Sequence, residues 1–138
     1  SAGDPDKTYR AQEDYYNFIK NKHHILMKIY HNPRCAKSRA GLKYLEEQAY
    51  DIEIKKYMTE GLTEKELKEI IVLSGYKPFD LVRTQEKEYV QNYRGKKITD
   101  SEWIKILAEN PKLLQRPIVV NGNKAVLANP PEKIDDIV

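Results

Sequence analysis

The chain has 138 residues, 40% of them hydrophobic and 33% charged, with a formal net charge of +3 and one cysteine. A chain of that length hides roughly two thirds of its unfolded surface, so one compact domain folds without a disulfide or a metal. A lone cysteine excludes an internal disulfide framework, no apolar run approaches the ~20 residues of a membrane span, and so small a net charge gives no ground for direct nucleic-acid binding.

Residues 1–26 read as an N-terminal extension ahead of a domain over 27–138. SAGDPDK is a flexible lead, and Ala11, Tyr15, Phe18 and Ile19 share one helical face, which predicts a short amphipathic helix over 9–22. The extension is polar and charged and has no apolar signal core, so the expected compartment is the cytoplasm. Ten tyrosines are many for this length, and partly buried aromatic surface accounts for them better than a base-stacking platform.

ILMKIYH (25–31) is β-prone and breaks at Asn32-Pro33, a turn signal. Residues 36–48 favour a helix with Ala40, Tyr44 and Leu45 on one side. DIEIKKY (51–57) alternates as a strand does, so a βαβ unit with parallel strands follows. Thr63 and Glu66 are spaced as a capping box for a helix that carries Leu67, Ile70 and Ile71 inward and stops near Gly75. KPFDLVRT (77–84) reads as a turn and a short helix. A second capping box, Thr99 with Glu102, opens a helix that ends before Pro111. RPIVV, NGN and KAVLA (116–128) make a β-hairpin with an Asn-Gly turn signal, and PPEKIDDIV predicts a final helix with proline at its start. The order is β-α-β, a helical insertion, then β-β-α.

Chemistry concentrates at YHNPRCAKSR (30–39). A strand, a tight turn and a helix put Cys35 at a helix N-terminus, where free backbone N–H groups and the helix dipole favour an anion. The same field lowers a thiol's pKa from about 8.5 towards a reactive thiolate. Ser38, one turn on, is placed to donate its hydroxyl to the sulfur, and His31 is a candidate cation beside it. The competing readings are a small buried thiol for Cys35 and a strand-end histidine for His31. Arg83 and Arg116 are either solvated surface charges or, each lying near the end of an element, forks for a tetrahedral oxyanion. Pro117 opens a strand after a loop, a setting in which some prolines are cis. One cysteine and three scattered histidines have no metal-ligand spacing.

IYHNPRCAKSR, LVRTQEKEY and LLQRPIVV, in that order and spacing, resemble the glutaredoxin-dependent arsenate reductase family, which also includes the Spx-type regulators. The resemblance runs from about Met27 to the C-terminus. It implies an α/β, thioredoxin-like fold with a mixed central sheet, a helical insertion and a cis proline at Pro117. It further implies that Cys35 is the nucleophile, that His31 and Ser38 keep it ionised, and that Arg83 and Arg116 hold the oxyanion. No bound cofactor is implied. Glutathione would serve as co-substrate and glutaredoxin would resolve the mixed disulfide, which suits a chain with no second thiol. Members of the family carry a third arginine before the proline that follows the last strand, where this sequence has Asn129. Losing one charge-assisted hydrogen bond costs about 1.5–3 kcal/mol, so a substrate other than arsenate is open.

Two further classes stand beside the reductase. One is an Spx-like regulator that docks on RNA polymerase, against which Ser38 replaces the second cysteine of that group's C-x-x-C switch. The other is a glutathione-dependent reductase of mixed disulfides, which would need Cys35 but neither arginine.

Overall fold

A computed structural model describes residues 12, 13 and 26–138. The helix expected over 9–22 and the tyrosines at 9, 15 and 16 therefore lie outside the described residues, apart from Gln12 and Glu13. Among the described residues, no helix is long and apolar enough to cross a membrane.

The chain runs β1 (Leu26–Tyr30), α1 (Ala36–Glu47) and β2 (Asp51–Lys55), with β1 and β2 parallel in the register Leu26↔Asp51 to Tyr30↔Lys55. A helical insertion follows: α2 (Tyr57–Glu60), α3 (Glu64–Ser74), a 3₁₀ turn at Pro78–Leu81, α4 (Lys87–Asn92), α5 (Asp100–Glu109) and a 3₁₀ turn at Pro111–Leu113. β3 (Ile118–Asn121), β4 (Lys124–Leu127) and a 3₁₀ segment, Pro131–Ile137, close the chain. The sheet order is β2-β1-β3-β4, with β3 antiparallel to both β1 and β4. This is the mixed sheet and element order that the sequence predicts.

The helix boundaries come from local chemistry. Thr63 Oγ1 accepts from the Glu66 N–H at 3.0 Å while Glu66 Oε1 accepts from the Thr63 N–H at 3.1 Å, so two orphan donors of α3 are satisfied at once. The helix ends at Gly75, whose φ of +75° is a left-handed conformation that glycine adopts without steric cost. Thr99 and Glu102 form the second box at the start of α5.

Three local differences from the sequence reading have clear causes. The second strand stops at Lys55 rather than at Tyr57, because the N–H groups of Thr59 and Glu60 turn back onto Lys56 O and start α2. The hairpin pairs Asn121 with Lys124, so its turn is Gly122-Asn123, with Gly122 at φ +57°, and Asn121 is still a strand residue. The final helix is 3₁₀ rather than α.

Alternation along the strands gives the sheet two buried faces. Met27, Ile29 and Val119 pack with Leu45 of α1 and with Ile134 and Ile137 of the closing segment. Tyr30 and Ile118 face the insertion, where Leu67, Ile70, Trp103, Leu107, Leu113 and Leu114 complete the larger cluster.

The register also assembles a single working edge. β2 runs parallel to β1, so both strands end together, and the His31 N–H donates to Lys55 O at 2.8 Å. β3 runs antiparallel to β1 and starts opposite its end, Tyr30 facing Ile118. Arg116-Pro117, just before β3, and Lys56-Tyr57, just after β2, are thereby brought to the loop that carries Cys35.

Candidate active site

The loop between β1 and α1 is held by its own polar groups. The Cys35 N–H donates to Asn32 O at 3.0 Å, and Asn32 Oδ1 accepts from the Arg34 N–H at 3.1 Å. Ser38 is fully buried; its Oγ lies 2.7 Å from His31 Nδ1 and accepts from the Asn32 N–H at 2.9 Å. Arg39 reaches back from α1 to Pro33 O at 2.9 Å.

Cys35 is the N-cap residue of α1, with φ −96° and ψ 124°, and its side chain is partly exposed. The first turn of α1 holds no acidic residue, so nothing offsets the positive end of the helix dipole. Burial pushes the Cys35 thiol up. The backbone N–H of Ser38, the Arg116 guanidinium and the backbone N–H of Lys37 outweigh that and leave its pKa below the ordinary value.

Two sequence expectations change here. Ser38 serves the sulfur through its backbone N–H, because its hydroxyl is taken up by His31 and Asn32. His31 is not the cation. Burial lowers its pKa below 6.5, and Lys56 and Arg39 lower it further against the opposing effects of Ser38 and Glu46. A neutral imidazole at pH 7 gives the loop a hydrogen bond rather than a charge.

Arg116 lies close enough to Cys35 to lower the pKa of its thiol. Its Nη1 donates to Lys112 O at 3.0 Å and Leu114 O at 3.2 Å, which leaves Nε buried with no partner. The Arg116-Pro117 peptide is cis, as the resemblance implied, and so is Asn129-Pro130, which the sequence reading did not single out. The Pro117 ring packs on α1 at Gly41, where an added Cβ would stand 2.7 Å from Pro117 Cγ.

Arg83 arrives by a separate route. Its N–H donates to Leu113 O at 2.7 Å and the Gln115 N–H donates to Leu81 O at 2.8 Å, so residues 81–83 run beside the segment that leads into Arg116. Its side chain is paired with Glu86. Asn129 is exposed and follows Ala128, whose N–H donates to Pro117 O at 2.9 Å.

The structure adds Tyr57, which sequence reading took for the last residue of a strand. It is fully buried, and its hydroxyl feels Arg116, Cys35 and Arg83. The available signal was its place just past the carboxyl end of a parallel strand, the edge at which α/β sheets gather ligands. A pocket of about 340 Å³ lies beside the loop, lined by Asn32, Pro33, Arg34, Lys56, Met58 and Thr59. A larger cavity of about 470 Å³, walled by Phe79, Tyr89, Tyr93 and Trp103 of the insertion, shares no residue with the site.

The chain is similar to known proteins over most of its length. The ArsC family model matches residues 30–137. An arsenate reductase of Haemophilus influenzae is 34% identical over 112 residues, covering 80% of this chain and 97% of that protein. An uncharacterised protein of Escherichia coli, YfgD, is 35% identical over 114 residues, covering 81% and 96%. The solved arsenate reductase from Vibrio cholerae superposes with a TM-score of 0.79 at 33% identity, covering 83% of this chain and 99% of that one. Sheet order and superposition together define the thioredoxin-like fold of the arsenate reductases. The chain belongs to the ArsC family.

Proposed function

We infer that the chain is a thiol-dependent reductase in which the Cys35 thiolate attacks arsenate or a related oxidised oxyanion. The observation that carries this reading is Cys35 at the N-cap of α1, with its pKa held down by backbone N–H groups and Arg116. A sulfur–arsenic bond forms as one substrate oxygen leaves as water, its protons coming from the medium. Arg83 and Arg116 hold the remaining oxygens. Glutathione then attacks the adduct and glutaredoxin resolves the resulting mixed disulfide. Two thiols are oxidised to a disulfide, arsenic gains the electron pair, arsenite leaves and Cys35 returns to the thiol. The single cysteine of the chain supports resolution by an outside thiol. Arg34 and Lys56 in the neighbouring pocket suit the carboxylates of glutathione. The reaction needs no bound cofactor, and its compartment is the reducing cytoplasm.

The test is arsenate-dependent NADPH consumption with glutathione, glutaredoxin and glutathione reductase, for the unaltered protein and Cys35→Ser. Turnover that disappears with the sulfur is the expected result. Absence of turnover while Cys35 still alkylates fast would reject arsenate, and the position of Asn129 would then direct the search to other oxidised substrates.

A further inference from the structure

Among the described residues two buried side-chain donors have no hydrogen-bond partner: Tyr57 Oη and Arg116 Nε. Buried polar groups are nearly always satisfied, so an orphan in a folded protein calls for an explanation. Both orphans lie at the edge of the sheet that carries the Cys35 loop, Tyr57 just past β2 and Arg116 just before β3. Arg116 is close enough to the sulfur and to the Tyr57 hydroxyl to lower the pKa of each group, yet no bond of good geometry closes between Tyr57 and the guanidinium.

The backbone explains why Tyr57 is held there. The His31 N–H donates to Lys55 O, and the Gly61 N–H donates to Tyr57 O at 3.0 Å. Tyr57 thus sits between the end of β2 and the one-turn helix α2, with its ring in the cluster around Leu113 and Leu114. A phenylalanine would fill that apolar space equally well and would leave no unpaired oxygen. The hydroxyl therefore lowers stability without improving packing.

We propose that the Tyr57 hydroxyl is a further substrate-contacting donor, bonding an oxygen of the anion attached to the Cys35 sulfur beside Arg116. The inference rests on the oxyanion reading of the site. Burial raises the Tyr57 pKa and outweighs Arg116, and with smaller effects from Cys35 and Arg83 the value is pushed up to about 12. The phenol thus keeps its proton at neutral pH, and it can donate. A donor fixed in a water-free place and aimed at developing charge does not have to give up water when the anion arrives. It also supplies one of the contacts that the exposed Asn129 does not.

Tyr57→Phe separates this role from a structural one. The expected result is a thermal midpoint equal to or above that of the unaltered protein, together with kcat/KM for arsenate lower by about ten- to a hundredfold. A second arm needs no turnover: the arsenate concentration that half-protects Cys35 from iodoacetamide should rise by a similar factor. Equal turnover and equal protection in the two proteins would overturn the proposal. No turnover in the unaltered protein, with protection intact and weakened by Tyr57→Phe, would reject the reductase reading while upholding the contact. No protection of the unaltered protein by arsenate would remove the anion and the proposal with it.

Discussion

Arg83 Nε donates to Glu86 Oε1 at 3.0 Å, and the two side chains are only 16% and 14% exposed. Glu86 Oε2 also lies 3.9 Å from Lys112 Nζ. Glu86 therefore aims Arg83 and partly cancels its charge, two effects with opposite consequences for an anion. Glu86→Gln keeps an acceptor for Nε and removes the negative charge, so KM for arsenate should fall by about threefold, in line with an ion-pair effect of up to about 1 kcal/mol. Glu86→Ala removes the aim as well, and KM should rise. Steady-state kinetics on the pair decides the order, and a fall in KM for both variants would show that the charge matters and the aim does not.

Ser38→Ala should damage the loop rather than merely slow the chemistry. The substitution leaves His31 Nδ1 and the Asn32 N–H buried without a partner. At about 1–3 kcal/mol for each of the two stranded groups, a loss of about 2–6 kcal/mol is expected in urea unfolding. A loss below about 0.5 kcal/mol would mean that neither bond matters in solution.

Titration of Cys35 is the direct check on its environment. The midpoint of the iodoacetamide rate against pH should fall below about 8.5, the value of a free thiol. Arg116→Ala should move it up, because one of the groups that hold the pKa down is gone. A midpoint unchanged by that substitution would leave the backbone N–H groups as the whole cause.

The depressed His31 pKa has a definite sign in stability. The unfolded chain takes up a proton near pH 6.5 and the folded protein only at lower pH, so the contribution is complete above 6.5 and is lost as pH falls through the folded value. Unfolding free energy should therefore drop between pH 7.5 and pH 5.5, and the drop should shrink in His31→Gln. Glu66, depressed chiefly by Lys55 and Thr63 against burial, acts the same way only at lower pH, below its ordinary 4.5. An equal drop in both proteins would assign it to other groups.

Gly41→Ala should destabilise, although alanine favours a helix. The new methyl would meet Pro117 Cγ at 2.7 Å, against a ring fixed in the chain. Overpacking costs about 1–3 kcal/mol, and the helix preference returns at most about 1 kcal/mol. A net loss of up to about 2 kcal/mol is expected by thermal unfolding, with Cys35 alkylation slowed because α1 must shift. A stabilised variant would show that the contact relaxes freely.

What was legible in the sequence had short-range causes. Thr63 with Glu66 and Thr99 with Glu102 announced their helices because a capping box is complete within four residues. The βαβ unit and the cis peptide at Pro117 followed from pattern and resemblance. Tyr57 stayed hidden because a β-prone tyrosine just after DIEIKK reads as a continuing strand, although Lys55-Lys56 breaks the alternation and the turn at Lys56 ends the strand. The sense of the Ser38 hydroxyl was equally invisible, since three residues' separation suits Cys35 and the competing partner, His31, lies seven residues away, just past the end of β1. Neutral His31 could not be read either, because burial, not its neighbours in sequence, is the main cause.

The meeting of three chain ends at Cys35 has a consequence for the chain before it is folded. Only the loop itself is local to the cysteine. Arg116 and Tyr57 reach it through the pairings of β3 and β2 with β1, and a one-residue slip of either strand would turn every one of its side chains to the opposite face of the sheet. A chain emerging from the ribosome, or one unfolding under heat, therefore carries an ordinary, mostly protonated thiol. The Arg116 share of the field at Cys35 exists only in the finished sheet, whereas the backbone N–H groups of Lys37 and Ser38 need no more than the first turn of α1.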